Sequence, residues 1–228
     1  MPPRAMPTHF LCIPLAGPQL GRSLASFKAD VVARSGVPAD AVRPLGTLHL
    51  TLGVMTLRED TLAQAVDVLK GLSLADALAD ARAAANISSS GRPCISLKGL
   101  HSMHPPARTS VLYAPPTDPE GVLRQFCEQL RRPFLESGLM ADEGRPLLLH
   151  ATVVNTIYVG RGGGGGGGGG RRRERMTLDA RELLRRHEEY VWLEGMPLEK
   201  LALCRMGAKR IEGSDGDEAY EVVAEVGF

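Results

Sequence analysis

The chain has 228 residues, enough for one medium domain or a compact pair of lobes around a buried core. Apolar residues make up 43% and charged residues 23%, which argues against wholesale disorder, and the formal net charge of +1 provides no global basic field for nucleic acid. No stretch reaches the roughly 18 consecutive apolar residues of a membrane-spanning helix, and the start of the chain lacks the sustained apolar run of a secretory signal. A soluble protein of the cytoplasm or nucleus, without membrane association and monomeric, is expected.

Residues 1–7 are a Pro-rich start, expected to be flexible. Residues 8–15 (THFLCIPL) are rich in β-formers and stop at Pro14 and Gly17, which predicts a strand. Leu20, Leu24, Phe27, Val31 and Val32 recur at helical spacing up to Gly36 and Pro38. Residues 47–56 (TLHLTLGVMT) alternate as a strand, interrupted only at Gly53. A helix over about 59–78 carries Leu62, Val66, Leu69 and Leu72 on one stripe. Strands are predicted at 93–100 and 109–114, joined by a Pro-rich loop holding His101 and His104. A third helix over about 120–139 carries Val122, Leu123, Phe126, Leu130 and Leu135, with Pro133 inside it. Residues 146–159 (PLLLHATVVNTIYV) are the second prominent strand. A helix capped by Thr177 and helped by Asp179 is predicted over 177–190, followed by strands at 197–207 and 219–226.

Two local features stand out from this pattern. Residues 161–175 carry five Arg and one Glu around an unbroken glycine run, and residues 212–225 carry six acids with no Lys or Arg. Ordering so many glycines is entropically expensive, so a flexible Gly/Arg-rich insertion is expected at about 161–173. It would attract phosphates and could hold an RNA backbone as the contact surface of a non-catalytic RNA-binding module, or simply form a tolerated, solvated surface segment. The four cysteines, Cys12, Cys94, Cys127 and Cys204, form no C-x-x-C pair and sit among apolar neighbours, so buried free thiols are expected.

The chemistry lies in two triplets, His49-Leu50-Thr51 and His150-Ala151-Thr152. Positions i and i+2 of a strand share a face. Each triplet therefore shows His and Thr on one side and apolar residues on the other. Two imidazoles can act as general base and general acid near neutral pH. Flanking a phosphorus atom, they need reactive nitrogens about 5–7 Å apart, set by hydrogen-bond reach on either side. The Thr51 and Thr152 hydroxyls would then donate to the non-bridging oxygens. This arrangement calls for no metal and no cofactor. The competing reading is two unrelated core histidines with incidental threonines.

The stretches HLTLGVM at 49–55 and HATVVNT at 150–156 resemble the two H-x-[ST]-hydrophobic motifs of the two-histidine (2H) phosphoesterases. Residues 8–15, AVRPLGTLHLTLGVM at 41–55 and LEKLALCRMGAK at 198–209 are similar to the 2′-5′ RNA ligase-like domain of the A-kinase anchor protein 7 type. The resemblance runs from about Thr8 to Val226. It implies an α+β, bilobal, pseudo-symmetric fold over residues 8–228 with a cleft between the lobes. It also implies acid–base chemistry on 2′-5′-linked or 2′,3′-cyclic nucleotides, or AMP binding without turnover. By motif match His49 and His150 take the histidine roles, and Thr51 and Thr152 hold phosphate. The Gly/Arg stretch departs from the family's compact pattern.

Further candidates follow from position. Tyr158 and Thr156 share His150's face if the strand runs straight, which would place a stacking ring and a second phosphate contact there, although a surface or core tyrosine and a threonine without ligand contact are the commoner cases. Arg43 precedes the first triplet, where it would neutralise a phosphate, although a solvated arginine beside Pro44 is the commoner case. Asn155 points to the opposite face, and parity supplies no reason for it. His101 and His104 lack a third ligand type, and His187 reads as an exposed helix residue without function.

Overall fold

The computed structural model describes residues 6–88, 91–142, 144–160, 176–214 and 216–228. The expectations for residues 1–5 and for the Gly/Arg run at 161–173 lie outside them. Strand β1 (His9–Pro14) is almost wholly buried, as a run of β-formers without a polar face should be. Helix α1 (Pro18–Ser35) starts with proline at its first position and closes on Gly36, whose left-handed φ of 61° lets its N–H bond Val31 O. Leu20, Leu24, Phe27 and Val31 face the core, whereas Val32, predicted on the same stripe, lies outside. β2 (His49–Met55) follows a short 3-10 turn at Leu45–Thr47. The helix predicted over 59–78 is two: α2 (Glu59–Lys70) stops at Gly71, and α3 (Leu74–Ala84) restarts at Ser73, whose hydroxyl accepts Asp76 N–H.

β3 (Cys94–Lys98), the short β4 (His101–Ser102) and β5 (Val111–Ala114) lead to α4 (Val122–Glu136). The Asp118 carboxylate caps α4 by accepting from Leu123 N and Arg124 N. β6 (Ala151–Asn155) is much shorter than the strand predicted there. Helix α5 spans only Arg181–Arg186. The capping signature at Thr177 is overridden because Leu178 pairs with Thr109 through two backbone hydrogen bonds of 2.9 and 2.7 Å, holding that segment extended. A strand with no clear alternation, β7 (Val191–Pro197), then turns into β8 (Lys200–Arg205). A small hairpin, β9 (Lys209–Arg210) and β10 (Glu218–Ala219), precedes β11 (Val222–Gly227).

These strands build an antiparallel sheet in the order β11-β8-β1-β2-β6-β5-β4, while β3 and β7 pair separately. The first four belong to one half of the α+β, bilobal arrangement and the last three to the other. The halves meet where β2 pairs β6 at Leu50 and Ala151. One face of the sheet, with Leu11, Ile13, Leu50, Leu52, Ala151 and Val153, packs into the main core with the helices. The opposite face carries a small separate cluster of Phe10, Cys12, Ala202 and Cys204. The interruption at Gly53 is a β-bulge. Leu11 opposes Gly53 and Cys12 opposes Thr51, so Leu52 is the extra residue. A Cβ at Gly53 would run into the end of the buried Met140 side chain, which packs against the bare backbone there.

Two residues read from sequence sit differently. Cys94 is exposed at the start of β3, unlike the three buried thiols. His187 is 5% exposed. Its Nδ1 donates to Leu183 O at 3.0 Å and its Nε2 lies 3.4 Å from Asp30, which also holds Arg186. It therefore pins the end of α5 to α1 rather than standing free in solvent.

The β9–β10 hairpin is clamped onto the turn before β2. Gly46 N–H donates to the Asp217 carboxylate, and a Cβ on Gly46 would lie 2.5 Å from Glu218 O. That neighbour is backbone and cannot rotate away. Gly46→Ala should destabilise the fold by about 1–3 kcal/mol through this forced contact, read as a lower urea midpoint. An unchanged midpoint would show that the hairpin is not held there in solution.

Candidate active site at the sheet seam

The pairing of Leu50 with Ala151 decides where the triplets go. In an antiparallel ladder each step along one strand is a step back along the other. His49 therefore stands across from Thr152, and Thr51 across from His150. The two triplets interlock, with all four polar side chains on one face and the fully buried Leu50 and Ala151 on the other. The four are half-buried. The histidines occupy diagonal positions, where strand geometry puts neighbours about 7–8 Å apart. The charge of His150 is felt at His49.

Both imidazoles are mounted the same way. His49 Nδ1 lies 2.8 Å from Thr47 O, and His150 Nδ1 lies 2.8 Å from Leu148 O. A carbonyl only accepts, so in each ring Nδ1 carries a hydrogen, and in the neutral imidazole Nε2 is then the acceptor. Each ring also has a tyrosine edge against it at a centroid distance of 5.4 Å, Tyr220 for His49 and Tyr113 for His150.

The surroundings differ. His49 is further covered by Phe10, 4.8 Å away between centroids. Burial lowers its pKa to about 4, and the positive charges of His150 and Arg43 add to the effect against the opposing Thr47 hydrogen bond. On the other side Tyr113 lies against His101, with centroids 5.7 Å apart, so an imidazole stands at the rim beyond the tyrosine. Thr51 is opposite Cys12 on β1, and Thr152 is opposite Tyr113 on β5.

A family model described as the AKAP7 2′5′ RNA ligase-like domain matches residues 7–228. The chain belongs to the AKAP7 2′5′ RNA ligase-like domain family. Among individual relatives, an uncharacterized protein of Schizosaccharomyces pombe is 27% identical over 95% of this chain and 94% of its own length. TT0787 of Thermus thermophilus has the same fold at a TM-score of 0.52 and 16% identity, covering 96% of this chain and 97% of that one. E. coli LigT, solved with 3′-AMP, matches at a TM-score of 0.50 and 15% identity, covering 97% of each chain. The 2H phosphoesterase fold is thus that of the whole chain.

Around the triplets of this AKAP7-like domain, the further candidates divide. Thr156 does not extend His150's face. β6 ends at Asn155, residues Thr156–Tyr158 form a 3-10 turn, and the buried Thr156 hydroxyl donates to Met176 O at 2.5 Å. It is a structural staple, not a phosphate ligand. Asn155 now has its reason, since its side-chain oxygen accepts Ile157 N–H and ends the strand. Tyr158 reaches the His49 end of the groove by this turn, not by strand parity, and its ring lies flat under Arg43 at 3.7 Å. Arg43 is 5% exposed, not solvated, with its backbone N–H bonded to Val153 O on β6. Phe10, Tyr113 and Tyr220 were not identified from sequence. Tyr113 could have been found by its alternation within the predicted strand 109–114, whereas Tyr220 arrives from the far end of the chain with no local signal.

His49 binds its proton more weakly in the folded chain than in the unfolded one, where the pKa is about 6.5. Between about pH 4 and 6.5 the unfolded state therefore holds more protons, so stability is full above that window and is lost as pH falls through it. His9, also lowered, chiefly by burial, acts in the same direction. His49→Gln should flatten this acid-side loss by close to one proton, measured as the slope of unfolding free energy against pH. An unchanged slope would place His49 in water.

Proposed function

We propose that the chain is a phosphoesterase that cleaves 2′-5′-linked or 2′,3′-cyclic nucleotide or RNA phosphodiesters, with His49 as general base and His150 as general acid. The observation that carries this reading is the interlocking of the two H-x-T triplets across the seam. It supports the reading by putting both imidazoles and both threonines on one face of the sheet, with each imidazole Nδ1 held by a backbone carbonyl.

The roles follow from the surroundings. A base must be unprotonated when substrate arrives, and burial keeps His49 neutral at physiological pH. Its Nε2 takes the proton of the attacking water or hydroxyl. His150, carrying a proton on Nε2, gives it to the leaving oxygen as the P–O bond breaks. Charge building on the non-bridging oxygens is met by the Thr51 and Thr152 hydroxyls, preorganised on the same strands. Two acid–base groups and two neutral donors meet the needs of the reaction without a metal ion. LigT, a protein of the same fold, has been solved with 3′-AMP, which supports a nucleotide as the occupant of this groove.

The test is turnover of 2′-5′ diadenylate and 2′,3′-cyclic AMP in EDTA, followed by product chromatography. His49→Ala and His150→Ala should each lower kcat by about 10²–10⁴-fold. Thr51→Val and Thr152→Val should each cost roughly tenfold or more. Wild-type turnover in either histidine variant refutes the assignment. AMP binding by calorimetry with no product from any diester identifies a nucleotide-binding module instead.

A further inference from the structure

One charged group at the groove is used by none of these steps. Arg43 is 95% buried, the complement of its 5% exposure, yet among the described residues its Nη2 has no hydrogen-bond partner. The nearest carboxylate, Glu218, stands 3.8 Å away, beyond hydrogen-bond reach and 31% exposed. Below the guanidinium lies the Tyr158 ring, and Tyr220, whose edge meets His49, interacts with both Arg43 and Tyr158. A buried guanidinium ordinarily takes a carboxylate or phosphate in a close, often bidentate, contact. Here the fork is oriented by stacking and held by its backbone to β6, but one of its donors is open.

We propose that Arg43, stacked on Tyr158 and flanked by Tyr220, is an anion-binding site for the phosphate of a nucleotide, and that Glu218 is its displaceable counter-ion. Resting on the nucleotide reading above, this inference adds a charge-selective gate to the His49 end of the groove. When no nucleotide is present, Glu218 balances part of the buried charge from the first position of β10. An arriving phosphate oxygen takes the open Nη2 donor, and the partly exposed carboxylate swings into solvent. No bond is made or broken; one ion pair exchanges for another. Because Glu218 competes with the ligand for the same cation, it weakens nucleotide binding, and its removal strengthens binding.

Calorimetry with AMP and with adenosine at low salt tests this in the full chain, without reference to turnover. Glu218→Gln should tighten AMP by roughly threefold to tenfold, the scale of a partly exposed ion pair, and leave adenosine within about twofold. Arg43→Lys, which keeps the charge but loses the planar fork and its stacking, should weaken AMP by about tenfold or more and spare adenosine. A gain of affinity cannot come from a damaged fold, so the Glu218 arm stands even where Arg43 variants unfold. Unchanged or weaker AMP binding in Glu218→Gln overturns the proposal, as does an equal effect on adenosine. Loss of catalysis in the wild-type chain with the Glu218 effect intact would refute the enzyme reading alone.

Discussion

The backbone pairing of Leu50 with Ala151 sets the register of the two triplets. It is the seam between two groups of strands that otherwise pair among themselves. It buries two apolar side chains completely and so commits their neighbours to the opposite face. A slip of one residue would send the histidines into the core and bring leucines to the groove. The bulge at Leu52–Gly53 lies beyond Thr51 along β2, so the strand bends only after the triplet has passed the seam. Packing of Met140 against the bare Gly53 backbone pins that bend, which ties the register at the seam to the core beneath α4.

How much of this was legible in sequence depended on distance along the chain. The shared face of His49 and Thr51, and of His150 and Thr152, needs only the two-residue repeat of a strand, and it was readable. So was α1, whose proline start and glycine stop are local signals. Errors arose where a distant partner overruled a local preference. Thr177 looked like a helix cap until Thr109 paired with Leu178. Thr156 looked like a groove residue because the strand was assumed to continue. The contrary sign was Asn155, a polar side chain on the apolar face, which turned out to be the strand's terminator. Arg43 read as solvated because nothing near it in sequence announces the tyrosines that cover it.

The two histidines share one mount and differ in their surroundings. Their Nδ1 atoms meet carbonyls at the same distance and the same sequence offset, so the mounts do not distinguish them. What differs is the cover. His49 is closed in by Phe10 from β1 and by Tyr220 and Arg43, the first of these two supplied by the last residues of the chain. Burial beside positive charge then keeps it neutral. The strands that close the chain, β8 and β11, extend the first half of the sheet, so the electrostatic character of the first triplet is completed only when the C-terminal segment docks.

The same logic applies to the described residues on either side of the glycine run. Both flanks of that run are fastened to the body of the fold. Gly160 N–H meets the Asp40 carboxylate on one side. On the other, Met176 O is taken by Thr156 and Leu178 pairs with Thr109. Thr156, read from sequence as a ligand, is one of the bonds that isolates the groove from whatever length intervenes, and Tyr158 keeps its place under Arg43 because the turn carrying it is anchored on both sides.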